Sequence, residues 1–465
     1  SGPRPGWAAM SGNPGVDLRR GVPPAAAPAG PGEAERVELT VGPVAHGGHC
    51  VARLDGRVVF VRHALPGERV VAEITEVRRD FLRADAVVVR EAAPQRVPPP
   101  CPYARPDRCG GCDLQHVAPE AQRAWKEAVV REQLLRLGGL GPAEVEALAV
   151  RVEALPGGPL GWRSRVRYAV DAAGRAGLLK HRSHEVVPID RCLIAHPAIQ
   201  ELPILPASGR RWPEADTVEV IASTGGDVSV RALRGGDLGA GGGWDEPARS
   251  GEGQGSPVGP AEPATDGRLP AAGRIRERAV GRTWHLPPEA FWQVHPAAAD
   301  TLAGAVLDLL APREGEVAWD LYGGAGLFAA ALAGRVGPTG RVTVVDSAPA
   351  AVEAARWNLR DLPWVEVVSA SVGPALARRR ITGPVDLAVL DPPRAGAGAA
   401  VVRAVAAATR RAVTYVACDP AAFARDLRTF REAGWRLAAL RGYDLFPMTQ
   451  HVELVGLLVP AAEGG

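Results

Sequence analysis

Five of the six cysteines in this 465-residue chain stand where their neighbours could put them to chemical use. Cys101, Cys109 and Cys112 share the stretch CPYARPDRCGGC, and Cys192 follows in DRCLIAHP. Four thiolates suit either zinc or an iron–sulfur centre. A four-cysteine zinc site more often comes as two CxxC pairs. Three clustered cysteines with one remote therefore favour a [4Fe–4S] cluster while leaving zinc open. Cys418 is different, because it ends the apolar run VTYVAC. A thiol at a strand tip is a candidate nucleophile, the more so if its surroundings lower its pKa. Cys50, in an early strand-like stretch, reads as an ordinary small buried residue.

Asp391 in LDPPRAG ends the strand before the one that Cys418 ends. Successive parallel strands deliver both residues to one crevice outside the carboxyl edge of a sheet. Glu453 interrupts the apolar run of HVELV, and a buried carboxylate without a task is uncommon, so it is a candidate general base. The stretch DLYGGAGLF, from Asp320 to Phe328, reads as strand, glycine loop and helix, which lets backbone approach a ligand closely. Asp346 ends the next strand, where an acid can accept two ribose hydroxyls. No Gly-Lys-Ser/Thr follows the loop, so a phosphate-binding P-loop is excluded. An adenosyl cofactor fits, S-adenosylmethionine foremost, with NAD as the competitor.

Those residues need a scaffold, and the chain's periodicities supply one. Residues 36–96 alternate as short strands broken by Gly42, Gly47, Gly48 and Gly56, the pattern of a small antiparallel barrel. A helix from about Pro119 to Leu137 follows the first cysteines. The strand WRSRVRYAV then places Arg163, Arg165 and Arg167 on one face, either solvated or touching phosphate. From about residue 296, strands alternate with helices, which predicts a parallel doubly wound sheet closed by an antiparallel edge hairpin. The fold class is α/β, with the barrel and a small central α+β domain added.

Composition narrows the setting. Hydrophobic residues make up 46% of the chain and net charge is only +2, so any nucleic-acid surface must be a local patch. All cations except Lys126 and Lys180 are arginine. No apolar stretch is long enough to span a bilayer, so no membrane association is expected. Residues 1–35 read as a disordered leader, and residues from about 233 to 273 as a low-complexity, Gly/Pro/Ser-rich insertion. Thiolates spaced for metal point to a reducing, cytoplasmic setting. No obligatory protein partner is evident.

Taken together, FWQVHP, DLYGGAG, the acid of VVDSAP, LDPPRAG, ACDPAAFARD and HVELV resemble the RNA uracil-C5 methyltransferase family. The resemblance runs from about residue 36 to 460. It implies an OB-like TRAM barrel over 36–96, an iron–sulfur domain over 97–287 that carries the insertion, and a Rossmann-like methyltransferase domain over 288–465. It further implies that Gln293, Tyr322, Asp346 and Asp391 contact S-adenosylmethionine. Cys418 is then the nucleophile, Glu453 the base, and Cys101, Cys109, Cys112 and Cys192 the ligands of a [4Fe–4S] cluster. Phe291 and Arg394 lie inside matching motifs and are candidates to touch the target base. The implied partner is structured RNA, with rRNA favoured and tRNA possible.

The chemistry accounts for these residue types. Uracil C5 is a poor nucleophile until a thiolate adds to C6, and a base must later remove the C5 proton. The uracil must leave its stack to reach the crevice, while the barrel and the arginine stripe grip the surrounding RNA. No such transfer needs an electron, so the cluster is expected to support the fold or RNA binding. The chain departs from the family in three places. The first cysteine spacing is two residues longer, Leu327 stands where asparagine is common, and the insertion has no counterpart. An RNA cytosine-C5 methyltransferase is one alternative, but it would carry a second motif cysteine near Asp391. An iron–sulfur redox or radical protein is another, but a radical enzyme would show a CxxxCxxC triad.

Overall fold

A computed structural model describes residues 35–235, 269–270 and 273–461. The expected leader, except Glu35, and most of the expected insertion lie outside the described residues. No helix among the described residues is long and apolar enough to cross a membrane.

The first sheet has six strands, in the order Arg36–Thr40, Arg69–Val77, Phe81–Glu91, Arg57–Arg62, His49–Leu54 and Val44–Ala45. Alternating residues point inward, so that Leu39, Cys50, Ala52, Val59, Val61, Val70, Ala72, Leu82 and Ala84 fill one core. Its two ends meet where Gly42 N donates to Val51 O and Val51 N donates to Pro43 O. That closure removes open edges and makes the sheet a small barrel.

The helix Pro119–Arg136 joins this barrel to the rest of the molecule. Ala121, Trp125 and Val129, spaced at four, pack into the barrel core. Val130 and Leu134 pack into the core beneath the largest sheet. Between these two apolar faces the helix buries Gln122 and Lys126.

A central five-stranded antiparallel sheet runs Val186–Pro188, Ala176–Leu179, Arg165–Val170, Thr217–Ala222 and Val228–Leu233. Here the arginine stripe departs from expectation. Arg165 is 1% exposed; its guanidinium donates to Ala290 O at 2.8 Å and to Glu277 at 3.3 Å. Arg167 pairs with Glu219 at 2.9 Å. Arg165 is therefore not free to grip RNA. A second layer covers Arg165, which together with Ser164, donating to Val294 O at 2.8 Å, holds the segment containing Phe291 and Gln293.

The largest sheet has eight strands, in the order Val365–Ser369, Arg341–Asp346, Val317–Leu321, Val385–Leu390, Thr409–Ala417, Glu453–Pro460, Trp435–Asp444 and Val152–Ala154. The first five are parallel, and Glu453–Pro460 runs antiparallel to its two neighbours. The final hairpin lies at this end of the sheet as expected, with three residues from the central segment pairing beyond it. Strand order reverses around Val317–Leu321, which opens a crevice at the carboxyl edge there.

Candidate functional site

The crevice is built from strand ends. After Val317–Leu321 the chain turns sharply through Tyr322, whose φ of 62° is unusual for a side chain of this size. At Gly323 an added Cβ would fall 2.6 Å from Val344 and 2.9 Å from Asp320, so only glycine fits the turn. Asp346 ends the neighbouring strand and accepts from Gly324 N at 2.9 Å and Ala348 N at 2.8 Å. Each carboxylate oxygen keeps a second lone pair for a ligand hydroxyl.

Sequence patterning did not single out Asp320, yet it is fully buried below this loop. Its Oδ2 accepts from Ala329 N at 2.8 Å, while Oδ1 has no partner. Burial, reinforced by Asp346, pushes its carboxyl up to about 7. Asp391, at the end of the adjacent strand, is pushed up to about 7 by burial and by the charges of Asp320 and Asp346. An orphaned buried oxygen beside a glycine cradle and three crowded carboxyl groups fits a ligand that brings hydroxyl donors and positive charge. S-adenosylmethionine carries both.

Cys418 follows the strand Thr409–Ala417, in which Ala417 pairs with Leu454. One further step along that register sets Cys418 across from Glu453. Glu453 is 4% exposed. Burial, and secondarily Asp391, raise its carboxyl well above the usual range, with Arg394 opposing them. Burial and Glu453 push the Cys418 thiol up to about 12, again opposed by Arg394. The surroundings therefore do not lower the thiol pKa, because burial and carboxyl neighbours outweigh one exposed arginine. Cys418, Glu453, Asp391 and Arg394 form one electrostatic group. Gln293 is half-buried and Phe291 exposed, on the segment that leads into the helix Ala298–Leu310.

Two supports were not visible in the motifs. Asp426, on the helix Pro420–Glu432, accepts from Ala397 N at 2.7 Å, Gly398 N at 3.2 Å and Tyr415 Oη at 2.5 Å. It thereby ties down the loop that carries Asp391 and Arg394. Asp419 caps the same helix by accepting from Ala422 N at 2.7 Å, and meets His46 of the barrel at 3.2 Å. Both lie in the ACDPAAFARD stretch, whose pattern does not show what they hold.

Cys101, Cys109, Cys112 and Cys192 line a single cavity with Tyr103, Gln115, Arg163 and Arg191. Burial raises the thiols of Cys109, Cys112 and Cys192, so thiolates there would require a bound cation. No three histidine, cysteine or acidic side chains among the described residues converge to hold a single metal ion.

Residues 33–87 match the TRAM domain, and residues 384–461 match the tRNA (Uracil-5-)-methyltransferase family. An uncharacterized RNA methyltransferase of Streptomyces avermitilis is 49% identical over 442 residues, which span 92% of this chain and 99% of that protein. The 23S rRNA (uracil(1939)-C(5))-methyltransferase RlmD of Alkalilimnicola ehrlichii is 34% identical over 92% of this chain and 98% of its own length. The chain belongs to the RNA uracil-C5 methyltransferase family. As a member it is an S-adenosylmethionine-dependent enzyme that acts on RNA. The methyltransferase also shares its fold with the crystal structure of Pyrococcus abyssi tRNA (uracil-54, C5)-methyltransferase in complex with S-adenosyl-L-homocysteine. That match has a TM-score of 0.63 and 22% identity, and covers 90% of this chain and 99% of the other.

Proposed function

We propose that this methyltransferase modifies uridine C5 in ribosomal RNA through a covalent adduct between Cys418 and uracil C6. The observation that carries the reading is the strand register that sets Cys418 across from Glu453, with Asp391 and Arg394 beside them. Addition of the Cys418 thiolate to C6 makes C5 nucleophilic. When bound, S-adenosylmethionine supplies an electrophilic methyl group and a positive charge next to the carboxyl groups of the crevice. Gln293, Tyr322, Asp346 and Asp391 would hold it, and Asp320 adds an unpartnered buried oxygen. Once C5 carries the methyl group, the Glu453 carboxylate removes the C5 proton. The C5–H electron pair forms the C5–C6 double bond, and the C6–S bond breaks to return the thiolate to Cys418. Phe291 and Arg394 are assigned to the flipped base.

Near-full-length similarity to a 23S rRNA enzyme supports rRNA over tRNA. The four cysteines around one cavity are assigned to a [4Fe–4S] cluster. We assign the TRAM barrel to 36–96, the cluster domain to 97–287 and the methyltransferase domain to 288–465, in a cytoplasmic enzyme. The test is methylation of unmodified 23S rRNA and tRNA transcripts with labelled S-adenosylmethionine, followed by nucleoside analysis and site mapping. Label in 5-methyluridine of the rRNA is expected. Label confined to tRNA, or recovered as 5-methylcytidine, would overturn the substrate assignment. For the cluster, anaerobically purified protein should contain iron and sulfide; stoichiometric zinc without iron would contradict it.

A further inference from the structure

Glu453 reaches the crevice at the end of an eight-residue connection, Leu445–Val452, between the last two strands. Strand pairing does not hold this connection. Residues more than three hundred positions earlier hold it, around the third cysteine and the helix that follows. Asp113, next to Cys112, accepts from Gln450 N at 3.3 Å, and Leu114 N donates to Met448 O at 2.9 Å. Gln122 is fully buried and uses both ends of its amide. Its Oε1 accepts from Met448 N at 2.9 Å, and its Nε2 donates to Leu114 O at 3.1 Å, Val117 O at 2.8 Å and Met448 Sδ at 3.3 Å. One turn on, Lys126 Nζ donates to Asp444 at 2.6 Å and Phe446 O at 3.1 Å.

Two further observations argue against an incidental contact. Met448 sits at a φ of 69°, a left-handed conformation that persists only where its surroundings impose it. In a chain with 54 lysines and arginines, only two are lysine, and Lys126 is one of them. A compact ammonium fits between a carboxylate and a carbonyl where a guanidinium fork would not. The barrel joins the same junction, since a Cβ on Gly48 would fall 2.9 Å from Asp113 and 3.1 Å from Gln450.

We propose that Asp113, Gln122 and Lys126 are positioning residues of the methylation reaction. They fix the Leu445–Val452 connection so that Glu453 faces Cys418. The loop after Cys112 is thereby part of the scaffold of the catalytic base, rather than of the RNA grip alone. This rests on the assignment of Glu453 as the base, and the experiment separates the two claims.

A displaced base affects one step more than the others. The thiolate still adds and C5 still takes the methyl group, but the C5 proton leaves slowly, so methylated RNA stays bound to Cys418. The measurement is rapid quench with uridine-containing RNA and methyl-labelled S-adenosylmethionine, scoring turnover and the denaturation-resistant, methyl-labelled adduct. Binding of S-adenosylhomocysteine serves as the check on folding. Gln122→Met keeps the side-chain volume but removes the acceptor for Met448 N. Asp113→Ala removes the acceptor for Gln450 N, and Asp113→Asn keeps one. Gln122→Met and Asp113→Ala are expected to slow turnover roughly 10- to 100-fold. They should also raise the adduct fraction, as Glu453→Gln should, with S-adenosylhomocysteine binding unchanged. Asp113→Asn should restore most of the turnover. If Glu453→Gln accumulates adduct while Gln122→Met and Asp113→Ala merely lose turnover, the positioning role is wrong. If none of the three accumulates adduct, the base assignment falls and takes this proposal with it.

Discussion

Burial of Cys418 and Glu453 beside each other raises both the thiol and the carboxyl above their ordinary values. A thiol pushed up to about 12 is protonated throughout the physiological range, so its thiolate fraction grows with every step in pH toward that value. In the ligand-free enzyme, iodoacetamide should therefore alkylate Cys418 on the order of a thousandfold more slowly at pH 7 than an exposed cysteine. The rate should climb steeply above pH 9, as followed by peptide mass analysis; rapid labelling at neutral pH would contradict this. Arg394 lowers both groups, so Arg394→Gln should raise both further. Turnover should then fall at neutral pH and recover partly as pH rises, and an unshifted profile would remove Arg394 from the electrostatic group. Cys418, Asp391, Asp346 and Glu453 were legible in the sequence because each ends or begins an apolar strand, and strand ends share an edge. Asp320 was not, since a carboxylate inside a strand pattern looks the same whether it faces solvent or a ligand. Arg165 shows the converse error. Period two identifies a face of a strand, but not whether another layer covers it.

At the scale of elements, the helix Pro119–Arg136 and the loop Asp391–Gly398 decide how well the site is set. The Lys126–Asp444 pair is almost fully buried, so Lys126→Met leaves an uncompensated carboxylate. A loss of about 3–5 kcal/mol in urea unfolding is expected, most of it recovered in the Lys126→Met, Asp444→Leu double variant. A small loss in the single variant would mean that water reaches the pair. Asp426→Ala strips Gly398 N and the Tyr415 hydroxyl of their acceptor and leaves Ala397 N only Tyr415 Oη, at about 1–3 kcal/mol for each group left unmet. It should loosen the loop that carries Asp391 and Arg394, and so weaken S-adenosylhomocysteine binding by calorimetry. Unchanged affinity would make the tie irrelevant to the site. Helix and strand periodicities predicted these elements well. Their polar anchors were hidden because each partner lies far away in sequence, and the strand Val152–Ala154 is too short to carry a pattern. The rarity of lysine was the one compositional clue to Lys126.

Across the whole molecule, barrel, cysteine loop and catalytic sheet meet at one junction, where His46 touches Asp419 and Gly48 packs on Asp113 and Gln450. The three motif regions were each legible, but their contact was not, because no local pattern records which loop tip meets which strand end. Gly48 has a φ of +76° and no room for a side chain, so Gly48→Val should push the barrel tip away. RNA methylation should fall roughly 10-fold or more while S-adenosylhomocysteine binding persists, and wild-type turnover would separate the barrel from the chemistry. With a net charge of only +2, RNA binding must come from local surfaces rather than a global field. The account stands or falls on the covalent step, which requires RNA grip, base flipping and nucleophile together. Incubation with 5-fluorouridine-containing RNA and S-adenosylmethionine blocks the final proton removal. It should leave a denaturation-resistant protein–RNA adduct whose cross-linked peptide contains Cys418, and Cys418→Ala should form none. An adduct that survives in Cys418→Ala, or maps to another residue, would contradict the account.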